Sequence, residues 1–259
     1  MLELDGEVKK LGDLPDKGLK ECPYMFERNG IYYLTYPHVA DKTEQLEYAI
    51  GDNPLGPFKV TGVIMDESPN YWTNHQSIIE FKNQFYLFYH SNDLSPNFDK
   101  ARSIRYDSLF FNEDGTIRKA IPTLRGVGLT NASKKIQIDR YSDKSKEGAS
   151  VNFMDTTNTF LGWKTIFSKP NAWVQYNSVD FGTKPLKSVL VKALSKTEGI
   201  LELRVNSING PVVAEVKIHK SNNWGNIKAD LTKVETGVHN LFVILKDNSN
   251  VEIDWISFE

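Results

Sequence analysis

25-MFERNGIYYLTY-36 laid over 78-IIEFKNQFYLFY-89, a shift of 53 residues (78 − 25), brings Tyr33 onto Tyr86, Leu34 onto Leu87 and Tyr36 onto Tyr89. Each copy consists of an apolar strand, a polar tight turn and a second strand in which aromatics alternate, the period-two pattern of β structure. A further strand pair follows each copy, in 46-LEYAIGDNPLGPFKV-60 and 101-ARSIRYDSLFFNEDGTI-117. A four-stranded unit recurring every ~40–55 residues predicts propeller blades.

The rest of the chain also reads as β. Turn signals such as RNG, NPLG, NEDG and NGP punctuate it, and long helical periodicity is absent. Around 129-LTNASKKIQIDRYSDKSKEGA-149 the sequence turns polar and rich in Lys and Ser. Beyond it the pattern carries fewer aromatics and more Val, Ile and Leu. This predicts a first domain over 1–129 and a second over 130–259. Strand candidates in the second are 173-WVQYNSVDF-181, 187-KSVLVKAL-194, 200-ILELRVN-206, 212-VVAEVKI-218, 239-HNLFVILK-246 and 251-VEIDWISFE-259. Their spacing fits a β-sandwich.

A chain of 259 residues with 40% hydrophobic and 25% charged residues has room for one large or two small cores. The formal net charge of -2 and the scattered Lys and Arg residues argue against a nucleic-acid partner. The single cysteine, Cys22, excludes an internal disulfide and any Cys-built metal site. No apolar run approaches the ~20 residues of a membrane helix, so no membrane partner is expected. The opening MLELDGEVKKLG has neither a basic n-region nor an apolar h-region, and no secretion signal is expected from it.

Residues 5 to 128 resemble the C-terminal part of a glycoside hydrolase family 43 five-bladed propeller. The motifs are 21-ECPYMFERNGIYYLTY-36, 74-NHQSIIEFKNQFYLFYH-90 and 107-DSLFFNEDGTI-117. Residues 134 to 259 resemble a family 6 carbohydrate-binding module through 173-WVQYNSVDFG-182, 208-INGPVVAEV-216, the NNW of 222–224 and 253-IDWISF-258. The resemblance implies an all-β chain in which a partial, N-terminally incomplete five-bladed β-propeller precedes a β-sandwich jelly roll. It also implies an extracellular location, although no signal peptide is recognised, and localisation stays open.

In that family the position of Glu21 holds the general acid. A glutamate flanked by Cys22, Pro23 and Tyr24 is expected to be desolvated, which favours the protonated form that cleavage of a glycosidic bond requires. His75 follows 54 residues later (75 − 21), within one residue of the blade-equivalent position, and the resemblance puts it at the active-site centre. Tyr24, Tyr71 and Trp72 are candidate sugar-facing walls, since sugar rings stack their C–H faces on aromatic planes. The remaining histidines, His38, His90, His219 and His239, read as structural or surface residues.

The family also uses two aspartates from earlier blades, one of which activates water at roughly 6.5–9.5 Å from the acid in an inverting mechanism. Asp5, Asp13 and Asp16 precede Glu21, but none stands in a context resembling those motifs. About two blades are expected to be absent as well, which would leave strand edges and apolar blade faces uncovered. Three arrangements answer this: a fragment of a longer enzyme, a chain completed by a second polypeptide or a copy of itself, or a non-catalytic binding protein.

Family 6 modules grip sugars between two aromatic side chains with help from an amide. Trp224 matches one aromatic, and Phe167, nine residues before Tyr176 (176 − 167), takes the register of the other. Glu252 stands where an asparagine is expected, with Asn250 nearby as a substitute. A carboxylate accepts hydrogen bonds from sugar hydroxyls but lacks the amide's donor. The resemblance further implies a structural Ca²⁺ on Gln137, Asp139 and Asp254, oxygen ligands of the kind that ion takes. The expected function is an inverting glycoside hydrolase, or part of one, of β-xylosidase or α-L-arabinofuranosidase type, whose partner is xylan or arabinoxylan. The alternative is a xylan-binding protein with a vestigial catalytic domain.

Overall fold

The computed structural model describes residues 6–7, 10–15, 17–19, 21–70, 72–93, 102–234 and 236–259. The chain divides into two compact units, Met1–Pro122 and Thr123–Glu259. The division precedes the composition break at 129/130. Leu124 packs against the core of the second unit, and the Arg125 main-chain N–H donates to the Tyr141 carbonyl at 3.1 Å. Among the described residues the only helical element is a 3₁₀ turn at Thr159–Leu161.

In the first unit a five-stranded sheet is built from β1 (Gly12–Asp13), β2 (Tyr24–Arg28), β3 (Ile31–Val39), β4 (Glu44–Gly51) and β5 (Phe58–Met65), in the order β1-β5-β4-β3-β2. A three-stranded sheet follows from β6 (Ser77–Phe81), β7 (Gln84–Ser91) and β8 (Ser103–Leu109). The two repeat copies form the hairpins β2–β3 and β6–β7. Their tight turns have the same geometry, with positive φ at Asn29 and Gly30 in one and at Lys82 and Asn83 in the other. Two left-handed central residues match the right-handed twist of the flanking strands. The second copy departs from expectation after β8. Its fourth strand is reduced to a single bridge, Phe111 to Ile117, because 112-NEDG-115 turns the chain back within a few residues.

Alternation along the strands decides what each sheet buries. Tyr33, Leu46, Tyr48 and Ile64 of the first sheet meet Ile78, Leu87, Tyr89 and Leu109 of the second in one core. Leu34, Tyr36, Ala49 and Phe58 point the other way and are covered by Leu11, Leu14 and Leu19. Among the described residues, the far face of the three-stranded sheet has no such cover. Ile79 and Phe81 of β6 are exposed there with Tyr106 and the 78% exposed Ile104 of β8.

The second unit is a sandwich. After β9 (Thr130–Asn131), β10 (Ile136–Gln137) and β11 (Asp143–Lys144) come β12 (Ala149–Phe153), β13 (Trp163–Phe167), β14 (Trp173–Asp180), β15 (Ser188–Leu194) and β16 (Gly199–Val205). Then follow β17 (Val212–Ile218), β18 (Gly225–Asp230), β19 (Val238–Leu245) and β20 (Val251–Phe258). One sheet runs β12-β13-β20-β15-β18 with β10 beside β20; the other runs β11-β14-β19-β16-β17 with β9 beside β14. The six strands expected between 173 and 259 are all present. Val174, Val191, Leu201, Leu203, Val243 and Ile253 fill the space between the sheets, as period-two alternation requires.

Candidate functional site

Glu21 lies just before β2, and Cys22 follows it with φ of 56°, a left-handed conformation uncommon for a residue with a side chain. This turn lets both neighbours reach the same imidazole. Glu21 Oε1 is 3.0 Å from His75 Nε2, and Cys22 Sγ is 3.1 Å from His75 Nδ1. The segment carrying His75 is pinned on several sides. The Asn74 N–H donates to the Glu44 carboxylate. The His75 N–H donates to His90 Nε2 at 3.2 Å. The Gln76 amide donates to the Cys22 carbonyl at 3.3 Å and to Thr35 Oγ1 at 3.0 Å.

Glu21, Glu44 and Trp72 line one hollow of about 500 Å³ with Lys42 and Thr73. The two carboxylates differ in environment. Glu21 is open to solvent, its side chain 59% exposed, so the expected desolvation by Cys22, Pro23 and Tyr24 does not occur. Those residues continue into β2 and leave the carboxylate at the rim. Glu44, which sequence reasoning passed over, is 4% exposed. Burial raises its pKa, partly offset by the Asn74 N–H and His75, while the nearby Glu21 charge adds to the rise. His90 is pushed down to about 4 by burial, Arg102 and His75, so a histidine read as structural is the neutral acceptor beneath His75. Among the sugar-wall candidates, Trp72 is half exposed at the hollow. Tyr24 is not a wall. Its hydroxyl donates to the Ile78 carbonyl at 2.8 Å and its ring packs against the core. Tyr71 lies outside the described residues.

In the second unit the strand ladder gathers the expected sugar contacts at one end of a sheet. Gly225 pairs with Ala193, and Leu194 with Glu252, so Trp224 and Glu252 flank one strand. Trp224 is half-buried, with the Lys192 ammonium 6.0 Å from its ring. Asn250 is exposed, and its carbonyl accepts from Ser195 Oγ at 2.7 Å. Phe167 does not belong to the cleft. At 0% exposure its ring points into the core, because the inward phase of β13 falls on Thr165 and Phe167. Glu252 is held by Lys164 at 2.8 Å, a partner with no signal in the sequence.

Gln137, Asp139 and Asp254 share a hollow of about 390 Å³ with Arg140, Lys192 and Trp163. Asp139 pairs with Arg140 at 3.0 Å and Asp254 with Lys192 at 2.8 Å. Among the described residues no three His, Cys, Asp or Glu side chains come together as a metal site. The donors that do meet are two carboxylates and an amide, hard oxygens that suit Ca²⁺ if the two cations yield them.

Residues 1–117 match the family model described as Glycosyl hydrolases family 43, and residues 145–259 match Carbohydrate binding module (family 6). An arabinoxylan arabinofuranohydrolase of Paenibacillus polymyxa is 24% identical over 250 residues, covering 86% of this chain and 39% of that protein. A xylosidase/arabinosidase of Bacteroides ovatus is 39% identical over 119 residues, covering 45% of this chain and 35% of that protein. The solved family 43 arabinoxylan arabinofuranohydrolase of Bacillus subtilis, in complex with cellotetraose, has the same fold at a TM-score of 0.56. Its identity is 20%, over 93% of this chain and 54% of that one. The chain thus spans about half the length, or less, of the relatives it matches. In family terms it joins a segment of glycoside hydrolase family 43 to a family 6 carbohydrate-binding module.

Proposed function

We propose that the chain belongs to a glycoside hydrolase acting on xylan or arabinoxylan, of β-xylosidase or α-L-arabinofuranosidase type and inverting, with Glu21 as general acid. The observation that carries this reading is the Glu21–His75 pair at 3.0 Å. It sits at a hollow that also holds Trp72 as a stacking surface and Glu44 as a second carboxylate. The activities of the Paenibacillus and Bacteroides relatives support the substrate class. The appended module would hold polysaccharide through Trp224, with Asn250 and the Lys164–Glu252 pair as polar partners. Gln137, Asp139 and Asp254 would hold Ca²⁺ and reinforce the tie between β10 and β20. The uncovered face at Ile104 and Tyr106 supports a further polypeptide, or a second copy, packing on the three-stranded sheet.

The exposure of Glu21 favours a second reading, a xylan-binding protein without catalysis. Hydrolysis of aryl β-xyloside, aryl α-arabinofuranoside and arabinoxylan, run beside Glu21→Gln, separates the two. Turnover that is lost in the variant supports the enzyme. A folded chain without turnover leaves the binding reading, for which xylan titration is expected to weaken with Trp224→Ala.

A further inference from the structure

We propose that His75 is a positioning residue for Glu21, held in its Nε2–H tautomer by the thiol of Cys22. The inference rests on the reading of Glu21 as the acid-bearing group. A neutral imidazole has one N–H and one lone pair, and its neighbours decide which nitrogen carries which. Glu21 Oε1 lies 3.0 Å from Nε2; while Glu21 is ionised, between its turns as acid, it can only accept, so in that state the hydrogen belongs on Nε2. Nδ1 is then the acceptor, and the group 3.1 Å from it, Cys22 Sγ, must be the donor. The opposite tautomer would set the Nε2 lone pair against carboxylate oxygen. Partial burial, with the Glu21 and Glu44 carboxylates nearby, keeps the thiol above its usual range and therefore protonated.

The contact is built rather than incidental. Residues 21–24 and 74–78 are joined by two further bonds, Gln76 to the Cys22 carbonyl and Tyr24 to the Ile78 carbonyl. The His75 main chain is fixed from behind by His90. Among the described residues, the charged or titratable groups around the imidazole are Glu21, Cys22, Glu44, His90 and Arg102. Cys22 is the group among the described residues placed to donate to Nδ1. A serine in its place keeps a donor; an alanine does not.

Long-range proton–nitrogen NMR of ¹⁵N-histidine-labelled chain, above the histidine titration, reads the tautomer without substrate. The expected result is Nε2–H for His75 in the wild type and in Cys22→Ser, and a mixture in Cys22→Ala. Methyl methanethiosulfonate, which replaces the thiol hydrogen by S–CH₃ in the already folded chain, is expected to give the same mixture and covers the case in which the alanine variant fails to fold. An Nδ1–H signal in the wild type, or a pattern unmoved by loss of the donor, overturns the proposal. A fixed tautomer in a chain without turnover would leave the Cys22–His75 assignment standing while overturning both the catalytic reading and the positioning role that rests on it.

Discussion

Glu21 and His75 are 54 residues apart in sequence and 3.0 Å apart in space, joined from equivalent ends of two repeat copies. With Glu21 59% exposed, the pair resembles a surface contact in energy, worth less than about 1 kcal/mol. Glu21→Gln is therefore expected to leave urea unfolding almost unchanged. In a preparation that turns over aryl xyloside, kcat is expected to fall by about 10²–10⁴-fold, the range of a lost general acid. A large loss of stability would instead make the pair structural.

Glu44 is expected to behave in the opposite way. Its folded pKa is raised above 4.5 by burial, so the native state holds the proton more tightly than the unfolded chain. Stability is then lost as pH rises from 4.5 through the folded pKa. Glu44→Gln keeps an oxygen to accept the Asn74 N–H and removes the buried charge. Denaturant midpoints across pH should show a variant more stable than wild type at pH 7, with that slope gone; a destabilised variant would mean the carboxylate charge is needed.

His90 contributes a slope of the other sign in an overlapping window. Its folded pKa is about 4 against 6.5 for the ordinary group, so the unfolded state binds the proton first as pH falls. The contribution is complete above 6.5 and is lost progressively down to about 4, on the order of 1–3 kcal/mol after allowance for solvent screening. His90→Gln retains an acceptor for the His75 N–H. It is expected to flatten this part of the profile, and an unchanged acid slope would show that His90 titrates normally.

Tyr33 ties the two halves of the first unit together. Its ring stacks on Phe26 at 4.7 Å, and its hydroxyl, fully buried, donates to the Gly115 carbonyl at 2.7 Å. Tyr33→Phe preserves the ring but strands a carbonyl, which costs about 1–3 kcal/mol. A change of under a few tenths of a kcal/mol in denaturant unfolding would mean that water reaches Gly115.

The repeat made the hairpins legible because β2–β3 and β6–β7 share both alternation and turn chemistry. Glu21 and His75 were singled out through the family resemblance, and the repeat sets them within one residue of equivalent positions in the two copies. Glu44 was not. In 39-VADKTEQ-45 it reads as one more loop charge, and only the ladder opposite Val39 shows it facing the hollow. Phe167 was misplaced because register by counting from Tyr176 fixes a position along the strand but not the face its ring takes. Lys164 carries no motif, since its partner Glu252 lies on another strand, 88 residues along the chain. Pairings of that kind depend on three-dimensional neighbours that a single sequence does not encode locally.

The hollow at Asp139 and Asp254 sets ion against ion pair. Both carboxylates are largely covered, and each already has a cation, Arg140 at 3.0 Å and Lys192 at 2.8 Å. Ca²⁺ would replace two single charges by one divalent ion with oxygen ligands, freeing both basic side chains to solvent. A ligand bound only by the native state stabilises by about 2.7 kcal/mol at 100 times its Kd. The melting temperature of the sandwich is therefore expected to rise with added Ca²⁺ and fall with EGTA, and Asp254→Asn should remove the response. If melts with Ca²⁺ and with chelator superimpose, Arg140 and Lys192 balance these carboxylates by themselves and β10 and β20 are tied without a metal.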